Sequence, residues 1–384
     1  MNEIDSPAQV LGVDVGGAHL KLADAAGRSA ACVFPMWLEA EQLDQRLRNL
    51  AGQFSRAQGK RYTHLAVTMT GEMADCFATR RIGVEFIVRK LAVALPELEQ
   101  HVYCVDGHWL DPAQACKNPW DVAASNWHGL ASWIARSVVP RADNLRLVLD
   151  IGSTTVDAIP IADGRVDTSA RTDSDRLRLQ QLVYTGVGRT PVAAILSAAT
   201  IHAERWPLVA ERFATSDDAY IALGLTAADE VASSVAASGA NCNLAGEGCL
   251  SAVDTADTAD TADTADGRPR TLACARARLG RMLAEDCERL NAGEIEILAQ
   301  QIVAKQASQV AQAITANLPT AASEDRRPLI ILSGHGSALA RAAVQQLPMA
   351  VDCIDLAECI SPAAARCAPA VAVAWLLQQR LAAT

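Results

Sequence analysis

Asp14 stands at the end of an apolar run, VLGVDV, and is followed by Gly16, Gly17 and a polar tip that carries His19 and Lys21. Asp150 stands the same way in LRLVLDIGSTTVD (145–157), ahead of Gly152, Ser153, Thr154 and Thr155, with Asp157 at its end. A third apolar run, LIILSGHGS (329–337), closes with Ser333, Gly334 and Gly336. An aspartate ending a buried strand, with glycine and hydroxyl side chains after it, can hold a hydrated Mg²⁺ while backbone N–H groups face phosphate oxygens. One such turn alone is more often only a tight turn. Three of them in this order imply two similar halves that close on one site, with Asp14, Asp150 and Asp157 as its metal-facing carboxylates. Lys21 follows the first glycine pair and can reach a terminal phosphate as a mobile point charge, or else stand exposed on its strand. His19 beside it can donate a hydrogen bond or, protonated, assist a leaving group.

Two further residues have chemistry to offer. Glu72 follows the strand His64–Met69, and ligands of open α/β sheets bind beyond the carboxyl ends of strands. It is therefore a candidate acid or base, the plainer alternative being a solvated or helix-capping carboxylate. Arg189 sits in YTGVGRTPV, where two glycines and Pro191 exclude a regular helix, and can clamp a phosphate or carboxylate with both arms.

The elements that must position these residues are legible as periodicity. Lys21–Ala31 reads as the second strand of a hairpin turning at Ala26-Gly27, and Leu43, Leu47, Leu50 and Phe54 mark a helix over Glu39–Gln58. A helix over Val84–Leu95 and a short strand over Val102–Val105 lead to an irregular loop, Asp106–Pro119. A helix over Asn126–Arg136 then carries Trp127, His128 and Trp133; Trp127 and His128 can face a substrate, the plainer alternative being core. In the second half Leu145–Ile151, Asp157–Pro160 and Arg165-Val166 repeat the opening strands across the Asp163-Gly164 turn. Thr172–Leu182 is charged and reads as a surface loop or strand pair, and a helix begins at Pro191. Thr271–Leu290 and Ile295–Asn317 read as long helices, and Ala368–Ala382 as a final apolar one. The run Asp254–Ala265, Asp-Thr-Ala four times over, cannot bury enough apolar surface to order itself and reads as an exposed loop without a catalytic role. The division expected is 1–130 and 131–384, with the low-complexity insert 229–266 in the second half and the C-terminal helix able to return to the first.

With 384 residues, half of them hydrophobic and a fifth charged, the chain can build two proper cores. A net charge of −10 without a basic face argues against a nucleic-acid partner. No run of 18 apolar residues is present, and MNEIDSPAQV has neither a basic start nor an apolar signal core, so no membrane partner and a cytoplasmic location are expected. The eleven cysteines are singletons without a C-x-x-C pair and read as reduced thiols. Cys242/Cys249 and Cys353/Cys359/Cys367 match no zinc module.

The three turns resemble those of the actin, sugar-kinase and heat-shock-chaperone ATPase superfamily. More narrowly, GVDVGGAHLK (12–21), TMTGEMAD (68–75), NWHGLA (126–131), LDIGSTTVD (149–157), YTGVGRTPV (184–192) and TADGRP (264–269) are similar to the hydantoinase/oxoprolinase-like proteins of tetrahydromethanopterin-linked one-carbon transfer. The resemblance implies a two-lobed α/β fold of the actin-like, ribonuclease H-like kind, two similar mixed-sheet halves flanking a central cleft. It implies that the Asp14 and Asp150 turns flank phosphates, with Gly16, Gly17, His19, Gly152, Ser153, Thr154, Thr155 and Arg189 around them, and that Ser333, Gly334 and Gly336 contact an adenosine. It further implies a transferase of methanofuran-type cofactor assembly, joining a glutamyl-tyramine or tyrosine-type phenol to an aminomethyl-furanmethanol diphosphate. Mg²⁺ is the cofactor expected, Glu72 the base with Asp150 second, and Lys21 a catalytic cation. ATP or another nucleotide is an open alternative, in a small-molecule kinase or an oxoprolinase-like hydrolase, and a non-enzymatic nucleotide sensor is a second. His19 and Lys21 depart from the small hydroxyl residues usual at an ATPase tip. The partners expected are the two small-molecule substrates, with a homodimer left open.

Overall fold

The structure, a computed structural model, describes residues 9–138, 146–228, 264–318 and 327–383. The expected insert 229–266 lies mostly outside them. Val10–Val15 (β1) is buried from end to end, and its Gly12 explains how. A Cβ there would lie 2.0 Å from the carbonyl oxygen of Ala370, so only glycine lets the C-terminal helix Ala368–Ala382 lie directly on the strand. His19–Asp24 (β2) and Ser29–Val33 (β3) continue from β1 as an antiparallel meander. His64–Met69 (β4) and Glu99–Tyr103 (β5) extend the sheet in parallel, and Trp109–Leu110 (β6) closes it, in the order β3-β2-β1-β4-β5-β6.

The second half repeats this plan. Arg146–Ile151 (β7), Val156–Ala162 (β8) and Arg165–Val166 (β9) form the meander, and Leu182–Val183 (β10) also pairs with β8. After a separate ribbon of Ala198–Ile201 (β11) and Glu204–Pro207 (β12), Leu329–Gly334 (β13) and Asp352–Asp355 (β14) add the parallel strands, giving β10-β8-β7-β13-β14. Two mixed sheets of matching topology, each a meander extended by two parallel strands, make the two-lobed actin-like α/β fold.

Each lobe has its own core on one face of its sheet. In the first, helices Leu43–Gln58 and Arg80–Ala94 bury Leu47, Phe54, Ile87 and Leu91 against β1 and β4. In the second, the long helix Ala292–Asn317 covers β7 and β8. A third core joins the lobes: helices Asn126–Trp133 and Ala368–Ala382 pack with Val10 and Ala66 of one sheet and Val148, Ile159 and Ile331 of the other.

Three expected elements differ. Asp106–Pro119 is not an irregular loop but holds β6 and the helix Pro112–Lys117, whose Asp111 and Gln114 form a capping box. Thr172–Leu182 is not a loop or strand pair. Thr172 and Asp175 form another capping box that starts the helix Asp173–Arg178, with acidic residues in its first turn and arginines in its last, as the helix dipole favours. Thr271–Leu290 is not one helix. Leu272–Arg281 ends in a Schellman turn, with Ala284 at φ 57 and the Glu285 N–H donating to the Gly280 carbonyl. Glycine usually marks that turn, and an alanine there hides the stop.

Candidate functional site

The like ends of the two sheets face each other. Asp14 is the fifth residue of β1 and Asp150 the fifth of β7, so equivalent strands aim two carboxylates at one cleft. The halves then diverge at the next strand. Opposite Asp14 in the ladder is Lys21, and opposite Asp150 is Asp157. Lys21 Nζ lies 3.5 Å from Asp14 Oδ2, so Lys21 is not a free surface lysine but the partner of a buried carboxylate. Burial raises the Asp14 pKa most, Lys21 pulls it down, and the charge of Asp150 raises it again. Burial works against the Lys21 charge, and Asp14, Cys367 and Asp150 together outweigh it and lift the ammonium pKa. Among the described residues Asp14 Oδ1 is buried with no hydrogen-bond partner, as is Ser333 Oγ, which β13 brings opposite Asp150. A hard cation would satisfy an orphaned carboxylate oxygen beside a second carboxylate, so Asp14 and Asp150 fit Mg²⁺.

The glycine turns are clasped together. Gly334, at φ 82, would place a Cβ 2.2 Å from the Ile151 carbonyl oxygen, and a Cβ on Gly336 would lie 2.1 Å from Ile151 Cγ2. A Cβ on Gly186 would lie 2.5 Å from the Ser153 and Thr154 backbone. Gly188 and Arg189 both donate their N–H to the Ser153 carbonyl, at 3.0 and 2.8 Å, and Gly152 donates to Thr155 at 2.9 Å. Gln306 of the long helix supports this layer, donating to Thr185 Oγ1 and the Gly186 carbonyl. On the first side Gly16 donates to the His19 carbonyl at 2.9 Å, Gly17 has open space around it, and His19 is exposed.

Beyond β4 the chain enters the cleft through Thr70-Gly71-Glu72. Glu72 is 1% exposed, and burial raises its pKa to about 7 despite the Arg80 guanidinium 3.9 Å away. Its Oε2 has no hydrogen-bond partner among the described residues. Arg80 begins the helix behind it and also pairs with Asp173 of the second lobe. Asp173 in turn accepts from Arg176 at 3.1 Å, and Arg176 carries the carboxylate of Asp157. Asp157 is thus an acceptor for a buried arginine rather than an open carboxylate. Burial lowers the Arg176 pKa to about 9, which leaves it a cation at neutral pH, and its guanidinium stacks 4.5 Å over the buried Trp127 ring. Glu72, Asp157, Asp173 and Arg176, with Thr155 and Tyr184, line a cavity of about 110 Å³ between the lobes.

Arg189 faces across the cleft from the other side, its guanidinium 4.9 Å over the Trp37 ring of the first lobe. His128 lies apart from the cavity lining. Its Nδ1 is 2.9 Å from the Tyr103 hydroxyl, and burial lowers its pKa to about 4, so it is a neutral core residue. Asp266, at the described end of the repeat, accepts from Arg278 and Arg281 at 3.1 and 3.2 Å and pins its segment to the second lobe. Sequence reasoning did not single out Arg80, Asp173 or Arg176. Only the Thr172–Asp175 capping signature could have shown that a helix aims the last two at the cleft.

Residues 64–380 match the family described as hydantoinase/oxoprolinase. The chain is 29% identical over 376 residues to the (4-{4-[2-(gamma-L-glutamylamino)ethyl]phenoxymethyl}furan-2-yl)methanamine synthase of Methanocaldococcus jannaschii, covering 97% of this chain and 98% of that one. The synthase of the same name from Methanococcus vannielii matches at 42% over 59 residues, 15% of this chain and 26% of its own. Among solved structures, a ROK family glucokinase from Streptomyces griseus in complex with glucose and AMPPNP aligns with a TM-score of 0.44 at 10% identity, over 96% of this chain and 98% of its own.

Proposed function

The chain belongs to the hydantoinase/oxoprolinase family, and on that premise we propose that it is a transferase that forms an aryl ether in the assembly of a methanofuran-type cofactor. The substrates are a phenol of the glutamyl-tyramine or tyrosine type and an aminomethyl-furanmethanol diphosphate. The products are the phenoxymethyl-furan and diphosphate. The full-length similarity to a synthase whose product name contains that ether supports the reading. The observation that carries it is Glu72, a buried carboxyl with a pKa of about 7 and an unpartnered oxygen, in the same cleft as the Asp14 and Asp150 turns.

The phenol oxygen attacks the furylmethyl carbon, the carbon–oxygen bond to diphosphate breaks, and the phenol proton goes to Glu72. A phenol pKa near 10 means that proton is lost only as the new bond forms, and a base poised near neutrality suits that transfer. Arg80 and Arg176 hold Asp173 and Asp157 in place around the cavity, so the positive groups beside Glu72 do not collapse onto it. Lys21, beside Asp14, and Arg189, over Trp37, are cations whose charge can offset that of the departing diphosphate. Asp14 and Asp150 would hold Mg²⁺, which when bound offsets the charge of a diphosphate leaving group.

The test is purified protein with furanmethanol diphosphate and glutamyl-tyramine, with and without ATP. Diphosphate release and the ether mass without ATP are the expected result. Product only with ATP, or ATP hydrolysis in the absence of the furan substrate, would sink the reading.

A further inference from the structure

At the other end of β4, away from the cleft, stands a second group of donors. His64 opens β4 and Glu99 opens β5, and the parallel ladder sets them side by side. His101, two residues on from Glu99, pairs with Ala66 and so presents its side chain on the same face. His64 Nε2 lies 3.5 Å from one Glu99 oxygen and His101 Nε2 lies 3.3 Å from the other. One ligand atom from each of the three falls within 4.8 Å of the others, and the two rings stack with centroids 5.6 Å apart.

Two details distinguish this group from a surface ion pair. His101 Nε2 is buried and makes no hydrogen bond to any described residue, its approach to Glu99 lacking the alignment of one. His64 also has an outer partner in place. The Thr63 hydroxyl lies 2.8 Å from His64 Nδ1 and 3.3 Å from the Gln9 carbonyl, so with its own proton directed to Gln9 it can accept the Nδ1 proton. In that arrangement the Nε2 lone pair, 3.5 Å from Glu99, is the one offered to an ion. A hydroxyl or carbonyl that takes the distal N–H in this way is the usual outer partner of a metal-bound histidine. Ligand atoms about 2.1 Å from a tetrahedral metal stand about 3.4 Å apart, close to the 3.5 and 3.3 Å that separate the two imidazole nitrogens from the two oxygens of Glu99.

We propose that His64, Glu99 and His101 bind a divalent transition-metal ion, with zinc the best match to two imidazoles and a carboxylate. Three protein donors leave the fourth tetrahedral position to solvent, which the exposed Glu99 side admits. The ion ties the start of β4 to the start of β5. It is separate from the Mg²⁺-type site by the length of β4, roughly 17 Å for a six-residue strand. It is a structural staple and takes no part in the cleft chemistry.

The experiment is a zinc titration against a chromophoric chelator. It uses the full chain, stripped of metal, with its exposed cysteines blocked beforehand by a maleimide. Wild type should bind one more Zn²⁺ per chain than His101→Ala, and the ion should raise the melting temperature of wild type only. Glu99→Gln, an exposed change that leaves the fold alone, should weaken binding tenfold or more, and Thr63→Val should weaken it about tenfold as a lost outer partner. Co²⁺ in place of Zn²⁺ should give visible ligand-field bands in wild type and lose them in Glu99→Gln. Equal stoichiometry and affinity in wild type and Glu99→Gln would overturn the site, as would a melting temperature that zinc leaves unchanged.

Discussion

Glu72 is a residue at which stability and function oppose each other. Its folded-state pKa, about 7 against 4.5 for an ordinary glutamate, means that the folded chain holds the proton more tightly than the unfolded one. Stability therefore falls as pH rises from about 4.5 to about 7 and is level above that, the total loss being about 2–4 kcal/mol. Glu72→Gln removes this cost while Arg80 keeps Asp173 as its partner. The variant should melt higher than wild type at a pH of about 8 and level with it below about 4.5, and should lose about a hundredfold or more in turnover. In wild type, kcat/KM should rise with pH with its midpoint near 7 and level off about one unit higher, since the base acts deprotonated. A Gln variant less stable than wild type at high pH would contradict the cost assigned to burial. Asp150→Asn keeps the shape and removes a cation-facing charge, so turnover should fall about a hundredfold with folding intact. Near-full activity would remove Asp150 from the site. Lys21→Ala acts differently, because Lys21 is both a cation for the diphosphate and the partner of Asp14. Inhibition by free pyrophosphate should weaken by about tenfold or more, the scale of a lost charge-assisted contact. An unchanged inhibition constant would confine Lys21 to its ion pair.

At the scale of elements, the helix Arg80–Ala94 sets where Glu72 stands, because Gly83 lets it press on the Glu72 turn. A Cβ on Gly83 would lie 2.3 Å from the Glu72 carbonyl oxygen and 2.7 Å from its Cα. Both are backbone atoms and cannot swing aside. Gly83→Ala should therefore shift the turn, lower stability by about 1–3 kcal/mol and cut turnover. Gly52 provides the control. It also lies inside a helix, but its nearest contact is the tip of Arg56 at 3.5 Å, so Gly52→Ala should stabilise by up to about 1 kcal/mol at unchanged turnover. If the two variants behaved alike, close packing at Gly83 would not be what fixes Glu72. The same contrast explains what the sequence reveals and what it hides. Strands β1, β7 and β13 are legible because apolar runs end in glycine turns, and Leu43–Gln58 because its apolar residues recur at helical steps. The pairing of Asp14 with Lys21 depends on hairpin register, and the approach of Arg80 to Asp173 depends on how two lobes meet. Neither leaves a local pattern. His64, Glu99 and His101 are likewise brought together only by the alignment of two strands whose first residues, His64 and Glu99, stand 35 apart in the chain.

The molecule as a whole is two lobes of one plan that share a core and touch again across the cleft. Arg80 reaches Asp173, Arg171 donates to the Val105 carbonyl at 3.4 Å, and Arg189 lies over Trp37. Each of these three links is made by an arginine, and Arg189 differs in resting on an aromatic ring rather than on an acceptor oxygen. An arginine stacked on a ring keeps its N–H edges directed sideways, so it can engage an anion while it still bridges the lobes. The stack is worth about 0.5–2 kcal/mol and should favour the closed arrangement by that amount. Trp37→Ala removes the stack and leaves the phosphate turns untouched. The lobes should then stand further apart without ligand, read as a larger radius of gyration in small-angle scattering, and pyrophosphate should restore the wild-type value. Pyrophosphate affinity should fall by about 2- to 30-fold, which is the stacking energy expressed as a ratio, because binding must now supply the closure that the stack supplied before. An unchanged radius together with an unchanged affinity would mean that the shared core alone sets the cleft, and that Arg189 and Trp37 touch without holding it.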